Sequence, residues 1–388
     1  MSWTMHNRVL LLACLACVCN GRPLHPSKKS MSFDELPQSS AEVRSTGKPD
    51  KLKGLAGILL AFTAAPGDKV AVVGATGKVG RLAVQQLVEQ GYTARVLLRD
   101  AVFDKASGSS SSVPTADSDT ESVAAWYASN PAGVEKVKGD VTDRKSLDDL
   151  LAGCSAVLAV HGATRTRKLS DFWSDPEDDP QHSKYVNYEG VRNLINAARA
   201  SGCCKRILRL TGKGETPYTF PSVLINGFGS MAKAWNYEGE TLLRECKDLE
   251  YTIVRPGVMT GKESDFPKSS LALADNGGNL EVTSIPHSSI AKLCVESLAY
   301  PNVGRSTLCA MATEEPGTGS DDWKTLLQKV DSDRRKFPAT LMEEHEKAVQ
   351  LAAGGAAVSF FGFLLFAGAL AAIVLGSQGK LDIAEDPF

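Results

Sequence analysis

The chain has 388 residues, enough for one large domain or two ordinary ones, and 43 Lys and Arg stand against 45 Asp and Glu for a formal net charge of −2. So even a balance removes any bulk electrostatic case for nucleic acid or for an acidic substrate as partner. With 43% hydrophobic residues, the composition is that of a globular α/β protein apart from the two ends.

The N-terminus reads as an address. Arg8 precedes the apolar run "VLLLACLACV" (9–18), and small or polar residues follow through Gly21. That order predicts a secretory signal over 1–21, too short to span a bilayer. Residues 22–65 open with a stretch rich in Ser, Lys, Arg and Pro that cannot build a core, and read as a linker or a transit peptide. A signal followed by a transit-like stretch is similar in composition to the bipartite leaders of algae whose plastids are reached through the endomembrane system. A plain secretory leader with a linker is the alternative. The apolar run "LAGILLAFTAAP" (55–66) is either a further sorting signal or the entry to the first strand.

From 66 to 335 strand and helix patterns alternate. "DKVAVV" (68–73) is a β-branched run, "GATGKVG" (74–80) follows directly, and "RLAVQQLVEQG" has helical spacing and stops on Gly91. "TARVLLR" then predicts a second strand. In such a βαβ unit Gly74, Gly77 and Gly80 let the turn tighten around a pyrophosphate. The turn residues Thr76, Lys78 and Val79 sit where the helix offers its free N–H groups and positive dipole end. The cofactor expected is therefore a nicotinamide dinucleotide. The end of the second strand selects between the two: an acidic residue there would bind the ribose hydroxyls of NAD, but Arg99 suits the 2′-phosphate of NADP. Asp100 follows it, so NADP(H) is favoured over NAD(H) without NAD being excluded.

"GVEKVKGDVTD" (133–143) predicts a strand and turn that bring Asp140 and Val141 to the adenine. "SLDDLLAGC" predicts a helix, and "SAVLAVHGAT" a strand that ends with His161 at the cofactor. "KYVNYEGVRNLINAARASG" reads as a long amphipathic helix closed by Gly202. "KRILRLTGKGE" and "LEYTIVRPGVMTG" supply two more buried strands. This alternation predicts a doubly wound parallel Rossmann sheet with its ligand at the carboxyl ends of the strands. Two insertions interrupt it: a Ser-rich one at 104–133, read mostly as a solvated loop, and a charged, proline-broken one at 165–183, read as a lid or a disordered loop. Of the nine cysteines, the six beyond the leader have no metal-binding spacing and fit a reducing compartment.

After a linker at 336–347, residues 348–376 carry no charge, and "AAVSFFGFLLFAGALAAIVLG" (356–376) is almost wholly apolar. That predicts a transmembrane helix, with lipid as its partner, and an acidic tail at 377–388. Arg334, Arg335, Lys336 and Lys347 precede the apolar run and only Lys380 follows it closely. The positive flank places the domain on the insertion side: the stroma of a plastid with a thylakoid or envelope membrane, or the cytosolic side if the leader is misread. The competing location is the endoplasmic reticulum membrane with the domain in the lumen.

"VAVVGATGKVGRLAVQQLVEQGYTARVLLRD", "VKGDVTD", "VNYEGVRNLINAARASG" and "LEYTIVRPG" together resemble the atypical short-chain dehydrogenase/reductase family over residues 68–312. That family includes NADPH-dependent reductases, NADPH-sensing regulators and chloroplast proteins of photosystem assembly or import. In hydride-transferring members a tyrosine donates the proton, a lysine one helical turn later lowers its pKa, and a Ser or Thr orients the substrate. The resemblance places Thr211 at the Ser/Thr position and Asn187 on the helix that faces the site. The tyrosine–lysine spacing is absent: in "GSMAKAWNYEGE" Lys233 precedes Tyr237. Thr211, Lys233, Tyr237 and Asn187 are the candidate catalytic set, with no metal expected and no substrate named. Two readings stand: a membrane-anchored NADPH-dependent reductase, or a non-catalytic nucleotide-binding protein that serves a membrane complex.

Overall fold

The computed structural model describes residues 62–107, 118–129, 132–168, 171, 179–260, 270–313 and 322–355. They build a compact unit over Ala61–Val349. The expected signal peptide, nearly all of the transit-like segment, the apolar run 356–376 and the acidic tail lie outside the described residues. Among the described residues no helix is long and apolar enough to cross a membrane.

The main sheet is wound outward from its first strand. β1 (Lys69–Val73) pairs in parallel with both β2 (Thr93–Leu98) and β4 (Ala156–Ala159), and β3 (Val134–Lys138) extends the sheet beyond β2. On the other side β5 (Arg206–Leu210), β6 (Glu250–Pro256) and β10 (Ser306–Thr313) follow β4, and β8 (Ser270–Ala274) closes the edge antiparallel to β10. A small parallel pair, β7 (Val258–Thr260) and β9 (Ser284–Pro286), stands apart. The winding reverses between β1 and β4, which opens a crevice at the carboxyl ends of the strands there.

Both faces of the sheet are covered. β1 sends Val70 and Val72 into one core and Ala71 and Val73 into the other, so the strand reads as an unbroken apolar run rather than an alternating one. The first core holds α1 (Lys78–Glu89), α2 (Asp100–Ala106) and α3 (Ser118–Ser129); the second holds α4 (Arg144–Leu151) and α5 (Gly190–Ser201). Next come α6 (Phe220–Phe228), then α7 (Ala232–Glu245) on the second core, and α8 (His287–Glu296) and α9 (Trp323–Leu327) on the first. α5 ends as expected on Gly202, in the left-handed conformation at φ 66°. Its approach, Tyr185–Glu189, is a π-helical turn that brings Asn187 fully inside.

The insertion at 104–133 departs from its loop reading, because it carries the whole of α3 along with the last residues of α2. Val123, Ala124 and Tyr127 are buried at helical spacing, and the Tyr127 hydroxyl donates to the Ala75 carbonyl at 2.7 Å. These few apolar residues were masked by the serines around them. Residues 336–347, read as a linker, pack onto the domain. Phe337 lies 3.9 Å from the Arg244 guanidinium, and His345 is buried between Asn226 and the Gly214 carbonyl. Residues 342–355 are helical.

Candidate nucleotide-binding site

A cavity of about 450 Å³ fills the crevice, walled by the carboxyl ends of β1, β2, β4 and β5 and the turns that follow them. The glycine turn forms its phosphate end. Gly74 has φ 89°, and a Cβ there would fall 2.6 Å from the backbone nitrogen of His161, so glycine alone lets β1 and β4 close at this point. Gly77 differs: a Cβ on it would meet nothing nearer than the Gly74 carbonyl at 3.4 Å. The fold itself does not need Gly77 bare, whereas a ligand against the turn does. α1 begins at once behind it, with no side-chain cap and no acidic residue in its first turn. Its free N–H groups and dipole are left for an anion. Of the remaining turn residues, Thr76 is on the cavity wall, Lys78 opens α1, Val79 is buried in the core, and Gly80 packs against the Gly74 carbonyl.

Arg99, Asp140, Val141 and His161 all line the same cavity. Arg99 caps α2 from the end of β2 and is exposed, while the neighbouring Asp100 lies 3.7 Å from Lys138. The Asp140 carboxylate accepts from the amide and hydroxyl of Thr142 at 3.0 and 2.9 Å, which fixes the turn after β3. Both ring nitrogens of His161 are buried without a hydrogen-bond partner. Burial first, and then the Arg209 guanidinium, hold its pKa well below the ordinary value, the Val186 backbone offsetting this only in part. An orphaned imidazole, a bare glycine and an uncapped helix fit a dinucleotide, which would supply the hydrogen bonds these groups lack.

The candidate catalytic residues are not brought together. Thr211 reaches the cavity wall, but its hydroxyl donates to Glu240 Oε1 at 2.6 Å. Tyr237 lies off the wall, 1% exposed, and its phenol donates to the Pro338 carbonyl at 2.8 Å. Burial pushes its pKa up to about 12. Lys233 donates to the Ser222 hydroxyl; burial, then Lys213 and Arg255, bring its ammonium down to about 8. Asn187 is a fastener: its side-chain oxygen accepts from the Ala163 amide at 3.0 Å and its NH2 donates to the Ala232 carbonyl at 3.3 Å. Neither Lys233 nor Tyr237 is on the cavity wall.

Asn236 is the α7 residue on the wall. Its side-chain oxygen accepts from Arg209 Nη2 at 2.8 Å, and Arg209 also donates to the carbonyls of Ala159 and His161. Neither residue stood out in the sequence, because nothing in α7 reveals which face meets the sheet. Below the wall Glu240 is fully buried between Arg255 and Arg244. Burial raises its pKa, but the two guanidiniums outweigh that and hold it at about 2. Glu215 is shared in turn by Arg255 and Arg335, at 2.7 and 2.8 Å. The lid reading of 165–183 has a partial counterpart. Arg165 grips Asp171 and Asp179 at 2.6 and 2.7 Å, and Pro180 and Gln181 next to them line the cavity; residues 172–178 lie outside the described ones.

A family model described as NAD(P)H-binding matches residues 74–301. Protein TIC 62, chloroplastic, of Arabidopsis thaliana is 26% identical over 320 residues, 80% of this chain and 45% of the relative. Dihydroflavonol 4-reductase of Hordeum vulgare is 28% identical over 146 residues, 38% of this chain and 35% of that one. The chain thus spans less than half the length of these curated relatives. A short-chain dehydrogenase/reductase of Veillonella parvula, solved in complex with NADP, superposes with a TM-score of 0.44 at 13% identity, over 66% of this chain and 98% of its own. With more than half of its length inside the match, the chain belongs to the NAD(P)H-binding family.

Proposed function

We propose that this protein binds NADP(H) without transferring hydride and uses occupancy of the site to support or regulate a plastid membrane complex. One observation carries the reading: among the described residues the cavity wall bears no phenol and no ammonium, and its one hydroxyl of the expected set, on Thr211, is committed to Glu240. A bound nicotinamide supplies a hydride, but carbonyl reduction also needs a proton at the oxygen that forms. Gly74, Thr76, Gly77 and the first turn of α1 would hold the pyrophosphate, Asp140 and Val141 the adenine, and Arg99 the 2′-phosphate, which favours NADP(H) over NAD(H). The relatives described as chloroplastic support a plastid location. The uncharged run 348–376 supports attachment to a thylakoid or envelope membrane with the domain in the stroma.

His161 favours a second reading, a reductase in which a neutral imidazole N–H polarises the substrate carbonyl. Its ring nitrogens are buried without a hydrogen-bond partner, and the residue lines the cavity. Calorimetry with NADPH, followed by nicotinamide absorbance in the presence of a panel of aldehydes and ketones, separates the two. The expected outcome is binding with no substrate-dependent oxidation. Oxidation that survives Tyr237→Phe and vanishes in His161→Gln would replace the first reading by the second.

A further inference from the structure

α6 is turned inside out. It buries its polar residues Ser222 and Asn226, one turn apart, and exposes the large apolar ones. Ser222 accepts from Lys233 Nζ, and Asn226 receives the amides of Lys233 and Ala234 at 3.0 and 3.2 Å and meets His345 at 2.8 Å. These contacts fix the rotation of the helix, so its outward face is a built feature. Of the nine large apolar side chains exposed among the described residues, five lie within 218–228. They are Tyr218 (56%), Phe220 (75%), Leu224 (40%), Ile225 (49%) and Phe228 (37%). No charged residue occurs from 216 to 232. Scattered apolar residues on a surface are ordinary, but an uncharged patch concentrated on one helix needs a partner.

We propose that this face of α6 lies in the headgroup region of a lipid bilayer. This docking rests on 356–376 being a segment that enters the same bilayer, as proposed above. His345, which holds α6 through Asn226, is separated from residue 356 by eleven steps of chain. Fully extended, that span reaches at most about 40 Å, and about 16 Å if it is helical. α6 is therefore tethered close to the place where the apolar run begins. The side-chain chemistry suits an interface as well: a tyrosine and two phenylalanines flank two aliphatic residues, on a helix whose polar side is already bonded to protein.

Photolabelling of the full chain in phosphatidylcholine vesicles that carry a diazirine phospholipid tests the assignment, with adducts mapped by mass spectrometry. Adducts are expected on 218–228 as well as within 356–376. In the double variant Leu224→Glu, Phe228→Glu, the first set should be lost and the second retained, with the thermal midpoint unchanged because both positions are exposed. Adducts within 356–376 and none on 218–228 overturn the docking and leave the anchor standing. Adducts on 218–228 alone uphold the docking and remove the anchor, and their absence from both regions removes both. A patch shielded from lipid by a second copy would show as cross-linked dimers without adducts on 218–228, which also overturns the proposal.

Discussion

The two ends of the cavity treat their polar groups in opposite ways. At the phosphate end α1 is uncapped, Arg99 has no ion pair among the described residues, and the His161 ring has no partner. At the floor each carboxylate is shared by two guanidiniums: Glu240 by Arg255 and Arg244, Glu215 by Arg255 and Arg335. Tyr237 and Phe337 lie under the same cations, with Arg255 5.9 and 5.8 Å from their rings. Buried polar groups left unsatisfied cost stability until a ligand supplies their partners, whereas these carboxylates already find theirs within the protein, although Arg244 keeps Nε and Nη1 buried without a partner. The cavity leaves donors free for a ligand, while the cluster beneath its wall pairs its carboxylates within the chain.

The largest effect should come from breaking the paired cluster. Glu240→Gln leaves Arg244 and Arg255 short of countercharge inside the protein, a loss of about 3–5 kcal/mol. Urea unfolding measures it, and a change below about 1 kcal/mol would mean that water already screens the cluster. The same cluster sets an acid limit. Glu240 is held at about 2 in the folded protein against 4.5 ordinarily, and Glu215 is also lowered. Their stabilisation is complete above the ordinary value and is lost as pH falls through it toward the folded one, because the unfolded chain binds protons first. Thermal midpoints should therefore drop between pH 4.5 and about 2; a flat profile there removes the network from the stability of the fold.

At the ligand end Gly74→Ala should be the most damaging change. The left-handed backbone costs about 1–3 kcal/mol, and the clash with the His161 backbone comes on top. Nucleotide affinity and thermal stability should fall together. Arg99→Ala should weaken NADPH binding by about 1–3 kcal/mol while NADH is nearly unaffected, since only the 2′-phosphate meets the guanidinium. Equal losses for both nucleotides in calorimetry would take Arg99 out of that role.

How far the sequence could be read follows the same divide. Strand, glycine turn, helix and strand are local patterns, so β1 through β2 and the position of Arg99 were legible from spacing alone. The floor was not, because its members come from β5, β6, α7 and a segment beyond residue 330, and only the folded chain brings Arg255 to Glu240 and Phe337 to Arg244. Tyr237 illustrates the cost. Its neighbourhood of cations is what a catalytic tyrosine needs, yet its hydroxyl is spent on Pro338. α3 was missed for a related reason, its three core residues being diluted by polar ones.

The smallest effect sharpens the comparison most. Tyr237→Phe removes the hydrogen bond to the Pro338 carbonyl and should cost about 0.5–1.5 kcal/mol of stability. Its NADPH affinity should equal that of the wild type. A loss of nucleotide binding in this variant would show that floor and cavity are not separate after all.

The buried ion pairs of β5 and β6 also give the domain a polarity. At the amino end of β5, Arg206 grips Glu250 and the carbonyl of Phe62, whose amide donates to Glu250 at 3.1 Å. At the carboxyl end of β6, Arg255 and Glu215 hold Arg335, just ahead of the segment 336–347. The chain therefore enters at one pole of a parallel sheet and leaves at the other. The first and last segments of this domain are thus pinned to opposite ends of the same pair of strands.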